Sequence, residues 1–216
     1  MTRLRSFFFG IALVFACAAA AAQAGAIANT ESSAPATDQA LHGPALLKAL
    51  QAGGLVIYFR HTATDFSRND AAMQGYADCA NQRLLSAQGR EDATRLGRDM
   101  RALKLRINDA TEVLASPMCR TMEHATLTFG RATPTPELRE GQAGDYPELK
   151  RLLAAPVAPV TKGKNRWIVG HGNPFRAVAG PPHLAEGEAV VIRPGTTRWT
   201  VLARLSVHQW AGLASR

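Results

Sequence analysis

The feature that most restricts the fold is the unbroken run Leu55-Val56-Ile57-Tyr58-Phe59, which follows Gly53-Gly54 and stops at Arg60-His61-Thr62-Ala63-Thr64. A short, mostly β-branched and aromatic run of this kind reads as a strand buried on both faces, as in a parallel sheet. Its end at Arg-His puts a guanidinium and an imidazole at the carboxyl edge of that sheet, where open α/β sheets bind their ligands. Two other strand-like runs end alike. Glu112-Val113-Leu114-Ala115 leads into Ser116-Pro117-Met118-Cys119-Arg120, and Arg166-Trp167-Ile168-Val169 leads into Gly170-His171-Gly172-Asn173. A lone His or Arg at a strand end is usually structural. Three strand ends that together deliver two His and two Arg point to one site.

The segments between these strands read as helices, loops and turns. Residues 38–50 predict a helix with Leu41, Leu46, Leu47 and Leu50 facing inward, ended by Gly53-Gly54. Residues 62–83 form a polar loop containing Asp65, Arg68, Asp70, Asp78 and Arg83, and a loop this long in a compact domain is usually functional. Ser86 is a helix N-cap, and Ala93, Leu96, Met100 and Leu103 lie at helical spacing on one face of the helix it opens. Thr121 to Phe129 reads as another helix, stopped by Gly130. Thr133 to Pro136 reads as an extended connector, Glu137 to Gly141 as a short strand or turn, and Tyr146 to Leu153 as a helix. Pro174 to Val178 starts a short helix broken by Gly180-Pro181-Pro182. Ala189 to Ile192 and Trp199 to Leu202 predict a hairpin across Pro194-Gly195 at the sheet edge, and Trp210 packs a final turn on the core. There is no internal repeat.

The amino terminus has the composition of an export signal. Thr2-Arg3-Leu4-Arg5 is basic, Phe7 to Ala16 is apolar, and Ala22-Gln23-Ala24 fits the small-x-small cleavage rule. The apolar run is too short for a membrane span. The reading divides the chain into a signal (1–24), a flexible leader (25–37) and a domain (38–216), and places the mature protein in the periplasm or outside the cell. Val14-Phe15-Ala16-Cys17 loosely resembles a lipoprotein cleavage box, so a lipid anchor on Cys17 is the minor alternative. Cleavage removes Arg3 and Arg5 and lowers the formal charge from +8 to +6. The basic residues are spread along the chain rather than run together, which disfavours nucleic acid and leaves an anionic or phosphorylated partner, or simply a solvated basic surface. Cys79 and Cys119 are the cysteines left after cleavage. An even pair in an exported protein favours a disulfide, with two reduced, buried thiols as the alternative.

Two His with two Arg suit phosphoryl chemistry. Planar guanidinium groups match the oxygens of a phosphoryl group in two-pronged fashion. A neutral imidazole can attack phosphorus and hold the group as a phosphoramidate, and a second imidazole can stabilise the transferring oxygens. Thr64 and Asn173 are natural extra donors to phosphate, with turn chemistry as their other reading. The rival is a zinc site of His61 and His171 with Asp65 or Glu140. Against it, Arg60 and Arg120 would set two fixed positive charges beside the cation, and the chain has no His-Glu-x-x-His and no Cys-x-x-Cys. It has no phosphate-binding glycine loop either.

These residues resemble the histidine phosphatase (phosphoglycerate-mutase-like) superfamily from about Val56 to Val201. Arg60-His61 with Thr64 is similar to its Arg-His-x-x-Ser/Thr motif, and Leu85-Ser86-Ala87-Gln88-Gly89-Arg90 to the segment that opens its first helix. Ser116-Pro117-Met118-Cys119-Arg120-Thr121 is similar to its Ser-Pro-x-x-Arg-Thr motif, and Val169-Gly170-His171-Gly172 to its second-histidine motif. Gln82-Arg83 and Glu186-Gly187-Glu188-Ala189 look closest to its exported bacterial members. Thr62 stands where the family often has Gly. The resemblance implies an α/β three-layer sandwich with a mostly parallel central sheet flanked by helices, and no metal or cofactor. It implies His61 as nucleophile, with Arg60, Arg120 and His171 completing the phosphate pocket. Leu138-Arg139-Glu140 fits the Leu-x-Glu context in which one branch places its proton donor, so Glu140 is the first choice, with Glu188 and Asp65 as the others. Arg139 beside it would oppose the raised pKa that a general acid needs if the two side chains met.

The expectation is therefore a metal-independent phosphatase of phosphomonoesters in the cell envelope, acting through a phosphohistidine on His61. Thr64, Asn173 and Arg83 are its expected substrate-binding residues, and the loop 62–83 is expected to set the substrate. A non-catalytic phosphate-binding module on the same fold and a phosphomutase are the alternatives.

Overall fold

In a computed structural model of the chain, the described residues are 40–107, 113–139, 144–157, 163–196 and 198–215. All lie in the unit Ser33–Arg216. The signal and leader expected at 1–24 and 25–37 fall outside them.

The apolar run that opened the argument is strand β1 (Val56–Arg60), whose Val56, Ile57, Tyr58 and Phe59 are fully buried. The other strands are β2 (Val113–Ala115), β3 (Thr133–Pro134), β4 (Arg166–Gly170), β5 (Ala189–Arg193) and β6 (Thr200–Leu205). Among the described residues they form one six-stranded sheet in the order β3-β2-β4-β1-β5-β6. The pairs β3–β2, β2–β4 and β4–β1 are parallel, and β1–β5 and β5–β6 are antiparallel. The hairpin expected at the edge is there, but of its two strands only β6 lies at the edge. β5 pairs with central β1, which is why Ala189 to Ile192 are as buried as β1 itself.

Alternation along β1 feeds two apolar layers. Ile57 and Phe59 point into a cluster with Leu46 and Leu50 of α1 (Gly43–Ala52), Leu96 and Met100 of α2 (Ala87–Ala102), and Ala125 and Phe129 of α3 (Cys119–Phe129). Val56 and Tyr58 point the other way, to Leu149, Leu152 and Leu153 of α4 (Pro147–Ala154) and Phe175 and Val178 of α5 (Gly172–Ala179). With helices on both faces, no strand position needs a polar side chain, so the strand reads as a continuous apolar run. Each fully buried aromatic such as Phe59, stacked 5.7 Å from Trp210, contributes roughly 2–3 kcal/mol.

Local chemistry sets the boundaries. Helix α1 begins at Gly43, later than the expected Asp38, because His42 is extended and Pro44 occupies the first turn. Ser86 caps α2 as expected, its hydroxyl accepting the Gly89 N–H at 3.0 Å, a cap worth about 1 kcal/mol. Gly89 itself packs directly on Ala63, and a Cβ there would collide with the Ala63 carbonyl. That close approach ties the start of α2 to the segment just after His61. The connector 133–136 contributes a two-residue strand, and Pro136–Leu138 is a 3-10 turn. Helix α5 starts at Gly172, two residues before the expected Pro174.

Parallel register then aligns three strand ends. Arg60 pairs with Gly170 and Ala115 with Val169, and the His61 and Ser116 amides donate to the Gly170 and Val169 carbonyls at 3.1 and 3.0 Å. His61, His171 and Ser116 therefore leave the sheet together.

Candidate active site

At this edge lies a cleft of about 320 Å³, lined by Arg60, His61, Asp70, Arg83, Arg120, Arg139, Tyr146, His171, Gly172, Asn173, Pro174 and His183. It unites Arg60, His61, Arg120 and His171 as the sequence predicts, and it includes the expected Arg83 and Asn173.

His61 and His171 face each other with ring centroids 5.5 Å apart and planes at 70°. His61 Nδ1 lies 3.0 Å from the Thr62 carbonyl, an acceptor, so Nδ1 carries the proton and Nε2 keeps its lone pair. Burial first, then the charges of Arg120 and Arg60, push its pKa down to about 3 against the opposing pull of the Thr62 carbonyl. The ring is neutral, with its tautomer fixed. His171 Nε2 is bonded to Ser116 Oγ at 2.9 Å, and burial, helped by the neighbouring cations, holds its pKa well below the ordinary imidazole value. Tyr58 Oη fixes the backbone behind it, accepting the His171 N–H at 2.8 Å and donating to the His171 carbonyl at 2.9 Å. Gly170 leaves room for that phenol, since a Cβ there would overlap Tyr58 Oη.

Each arginine is held by a carboxylate. Arg60 donates to the Leu184 carbonyl at 2.7 Å and to Glu186 Oε1 at 3.4 Å. Arg120, only 3% exposed, donates to both oxygens of Asp70 at 3.0 and 3.1 Å and to the Arg83 carbonyl at 3.1 Å. Both arginines nevertheless keep a buried Nε–H with no hydrogen-bond partner among the described residues. Unpaired buried donors are costly, and both belong to arginines that line the same cleft as His61.

Two expected residues stand elsewhere. Thr64 does not line the cleft. It pairs with Leu85 in an isolated bridge, and its amide and hydroxyl both donate to Glu186, at 3.2 and 2.7 Å. It braces Glu186 and stands outside the cleft lining, where the sequence expects a donor to phosphate. Glu140, the expected proton donor, lies outside the described residues. Of the other acids considered, Glu188 is forked by Arg204 at 2.6 and 3.0 Å; burial pushes its carboxyl up, but the Arg204 bonds prevail and leave it low. Asp65 accepts the Ser67 N–H at 2.9 Å, which lowers it too. Neither lines the cleft. Asn173 reaches it with its Oδ1 3.0 Å from His183 Nε2, and the Arg83 guanidinium stacks 4.7 Å from the ring centre of Phe66. Among the described residues, no group of three His, Cys, Asp or Glu side chains is placed to hold a metal ion.

Asp70, Glu186 and His124 carry roles that the sequence reading did not assign. His124 lies one turn after Arg120 on α3, a spacing that puts both on one face. Its Nδ1 accepts the N–H of Thr62, the residue after His61, at 3.1 Å, and burial drives its pKa down to about 3.

These neutral rings make stability acid-sensitive. Unfolded histidine titrates near pH 6.5, whereas folded His61 and His124 stay neutral to about pH 3. Below pH 6.5 the unfolded chain binds more protons, so stability is complete above that pH and is lost as the pH falls towards 3. Each ring should remove roughly 3 kcal/mol by pH 4. Urea denaturation at pH 7.5 and pH 4 measures this, and an unchanged midpoint would mean that the rings are not neutral in the folded protein.

Comparison with known proteins bears on the family and the fold. The model of the histidine phosphatase superfamily (branch 1) matches residues 56–178, more than half of the chain. No curated protein sequence matches. Among solved structures, the protein histidine phosphatase SixA complexed with tungstate is similar, with 18% identity and a TM-score of 0.50, over 71% of this chain and 97% of that one. The product of the open reading frame Rv3214 from Mycobacterium tuberculosis is similar too, with 18% identity and a TM-score of 0.50, over 72% of this chain and 99% of that one. At such identities the likeness is one of fold.

Proposed function

The chain belongs to the histidine phosphatase superfamily, and we propose that it is a metal-independent phosphatase that hydrolyses phosphomonoesters through a phosphohistidine on His61. One observation carries the reading: a neutral imidazole with a free Nε2 lies in a cleft where two buried arginine Nε–H groups lack acceptors. Phosphoryl oxygens would supply those acceptors.

Charge supports a monoester dianion. With His61 and His171 neutral, Arg60, Arg83, Arg120 and Arg139 exceed Asp70 and Glu186 by two charges among the described residues. A phosphomonoester carries about two negative charges near neutral pH, a diester only one.

In the first step His61 Nε2 attacks phosphorus, a P–N bond forms, and the ester P–O bond breaks with its electron pair on the leaving oxygen, which takes a proton. We assign that proton to Glu140. Arg60, Arg120 and His171 stabilise the charge that develops on the transferring oxygens. In the second step water attacks phosphorus and gives a proton to the Glu140 carboxylate left by the first step, a P–O bond forms, the P–N bond breaks, and its electrons return to Nε2, releasing inorganic phosphate.

The reading places the protein outside the cytoplasm. The signal pattern of residues 1–24 supports export, and the Cys79–Cys119 disulfide suits an oxidising compartment. No helix among the described residues is long and apolar enough to cross a membrane. The proposed substrates are small or envelope phosphate esters, and the spread of basic residues along the chain disfavours nucleic acid as a partner.

The test is p-nitrophenyl phosphate hydrolysis by the mature protein in EDTA, followed by acid and alkali treatment of enzyme quenched during turnover. The expected result is EDTA-resistant activity and an enzyme-bound phosphate that survives alkali but not acid, as a phosphoramidate does. Activity abolished by EDTA would overturn the mechanism in favour of a metal. Phosphate binding without turnover of aryl or alkyl phosphates would favour the non-catalytic module.

A further inference from the structure

Asp70 is the only carboxylate that lines the cleft among the described residues, and it comes from the long segment between β1 and α2. Its two oxygens take Arg120 Nη1 and Nη2 at 3.0 and 3.1 Å, and Oδ1 also accepts the Arg83 amide at 2.9 Å. This occupies one edge of the guanidinium. A guanidinium is planar and rigid, so fixing the Nη1–Nη2 edge also fixes the direction of the Nε–Nη2 edge. That second edge carries the buried, unpartnered Nε–H.

We infer that Asp70 is a positioning residue for phosphoryl transfer: it grips Arg120 by one edge and so presents the Nε–Nη2 edge to two phosphoryl oxygens. The inference rests on the phosphatase reading and assigns a function to the loop that reading leaves open. The loop delivers the carboxylate that aims Arg120.

Two other roles for Asp70 fit the geometry less well. As leaving-group acid it would need its proton near neutral pH. Burial does push the carboxyl up, but the Arg83 N–H and the Arg120 guanidinium outweigh it and hold it below the ordinary range. As a counter-ion that phosphate must displace, it would sit on the edge that phosphate takes, yet the edge left without acceptors is the other one. At Arg60, whose Nε is likewise unpartnered, the Leu184 carbonyl takes Nη1 at 2.7 Å and Glu186 takes Nη2 at 3.4 Å.

The test measures inorganic phosphate binding by calorimetry, together with kinetics on p-nitrophenyl phosphate and glycerol 2-phosphate. It compares wild type, Asp70→Asn, Asp70→Glu, Arg120→Ala and the Asp70→Asn/Arg120→Ala double variant. Asp70→Asn should weaken phosphate binding about tenfold and lower kcat/KM for both esters by a similar factor, the scale of one misaligned charge-assisted fork. Asp70→Glu, which keeps the charge, should recover part of the loss. On the Arg120→Ala background, Asp70→Asn should cost nothing more, because the effect runs through Arg120. Tighter phosphate binding by Asp70→Asn would overturn the inference in favour of the displaced counter-ion. Unchanged phosphate binding with a fall in kcat confined to glycerol 2-phosphate would overturn it in favour of the acid. Additive losses with Arg120→Ala would sink it as well. If Asp70→Asn does not fold, full phosphate affinity in Asp70→Glu, whose longer side chain must shift the fork, overturns it equally. Wild-type protein that neither binds phosphate nor hydrolyses either ester would instead overturn the phosphatase reading on which the inference stands.

Discussion

His61→Ala lowers kcat for p-nitrophenyl phosphate by roughly 10⁴-fold or more, the scale on which covalent nucleophiles are lost, and leaves inorganic phosphate binding within about tenfold of wild type. The two halves of this expectation have separate causes. The rate depends on the Nε2 lone pair, which exists at neutral pH because the ring is neutral and its proton is committed to the Thr62 carbonyl. Among the described residues, nothing else lining the cleft offers an equivalent nucleophile: His171 Nε2 is engaged by Ser116, and His183 Nε2 faces Asn173. Binding depends on Arg60 and Arg120, which are held by Glu186, Leu184, Asp70 and Arg83 and make no hydrogen bond to His61. Stopped assays on wild type and variant, with phosphate titrated into both, measure the two quantities. A variant that keeps a tenth of the wild-type rate would remove His61 from the covalent step. One that loses rate and phosphate affinity together would show that the imidazole is part of the binding site rather than the attacking group.

The site residues most legible in the sequence are those that parallel register carries. Once β1 and β4 are read as buried parallel strands, the Arg60-His61 and Gly170-His171 positions must meet at one edge, because Arg60 pairs with Gly170. The β2 end joins them through the same rule. Asp70, Glu186 and His124 were harder because each acts through a partner far along the chain: Arg120 lies 50 residues from Asp70, Glu186 lies 126 from Arg60, and His124 lies 62 from Thr62. Asp70 and Glu186 sit in loops without periodicity, where the direction of a side chain is set by tertiary contacts. Thr64 shows the converse. Its place in the motif is right, but its bridge to Leu85 turns the hydroxyl onto Glu186. Helix starts shifted for smaller reasons, such as the Gly43-Pro44 entry to α1 and the opening of α5 at Gly172.

The Cys79–Cys119 disulfide, which the sequence left open against two free thiols, ties the loop to the start of α3 beside the cleft. Cys119 is the first residue of α3 and the neighbour of Arg120, while Cys79 begins a 3-10 turn in the loop that carries Asp70. Gln82 adds a second tie, accepting the Cys119 N–H at 2.9 Å and donating to the Tyr76 carbonyl at 2.9 Å. The bridge spans 40 residues, for which loop-closure entropy gives about 4 kcal/mol. For a domain of this size that corresponds to a fall in Tm on the order of 10 °C in the Cys79→Ser/Cys119→Ser variant. Activity should fall as well, by about tenfold at temperatures where the variant is still folded, because a loosened loop aims Arg120 poorly. Dithiothreitol should reproduce both changes in wild type and alter neither in the double variant. This contrast separates loss of the bridge from damage by the substituted residues. Wild-type protein that shows two alkylatable thiols after reduction, yet keeps its Tm and its turnover, would show that Gln82 and the Asp70–Arg120 pair hold the loop without the bridge.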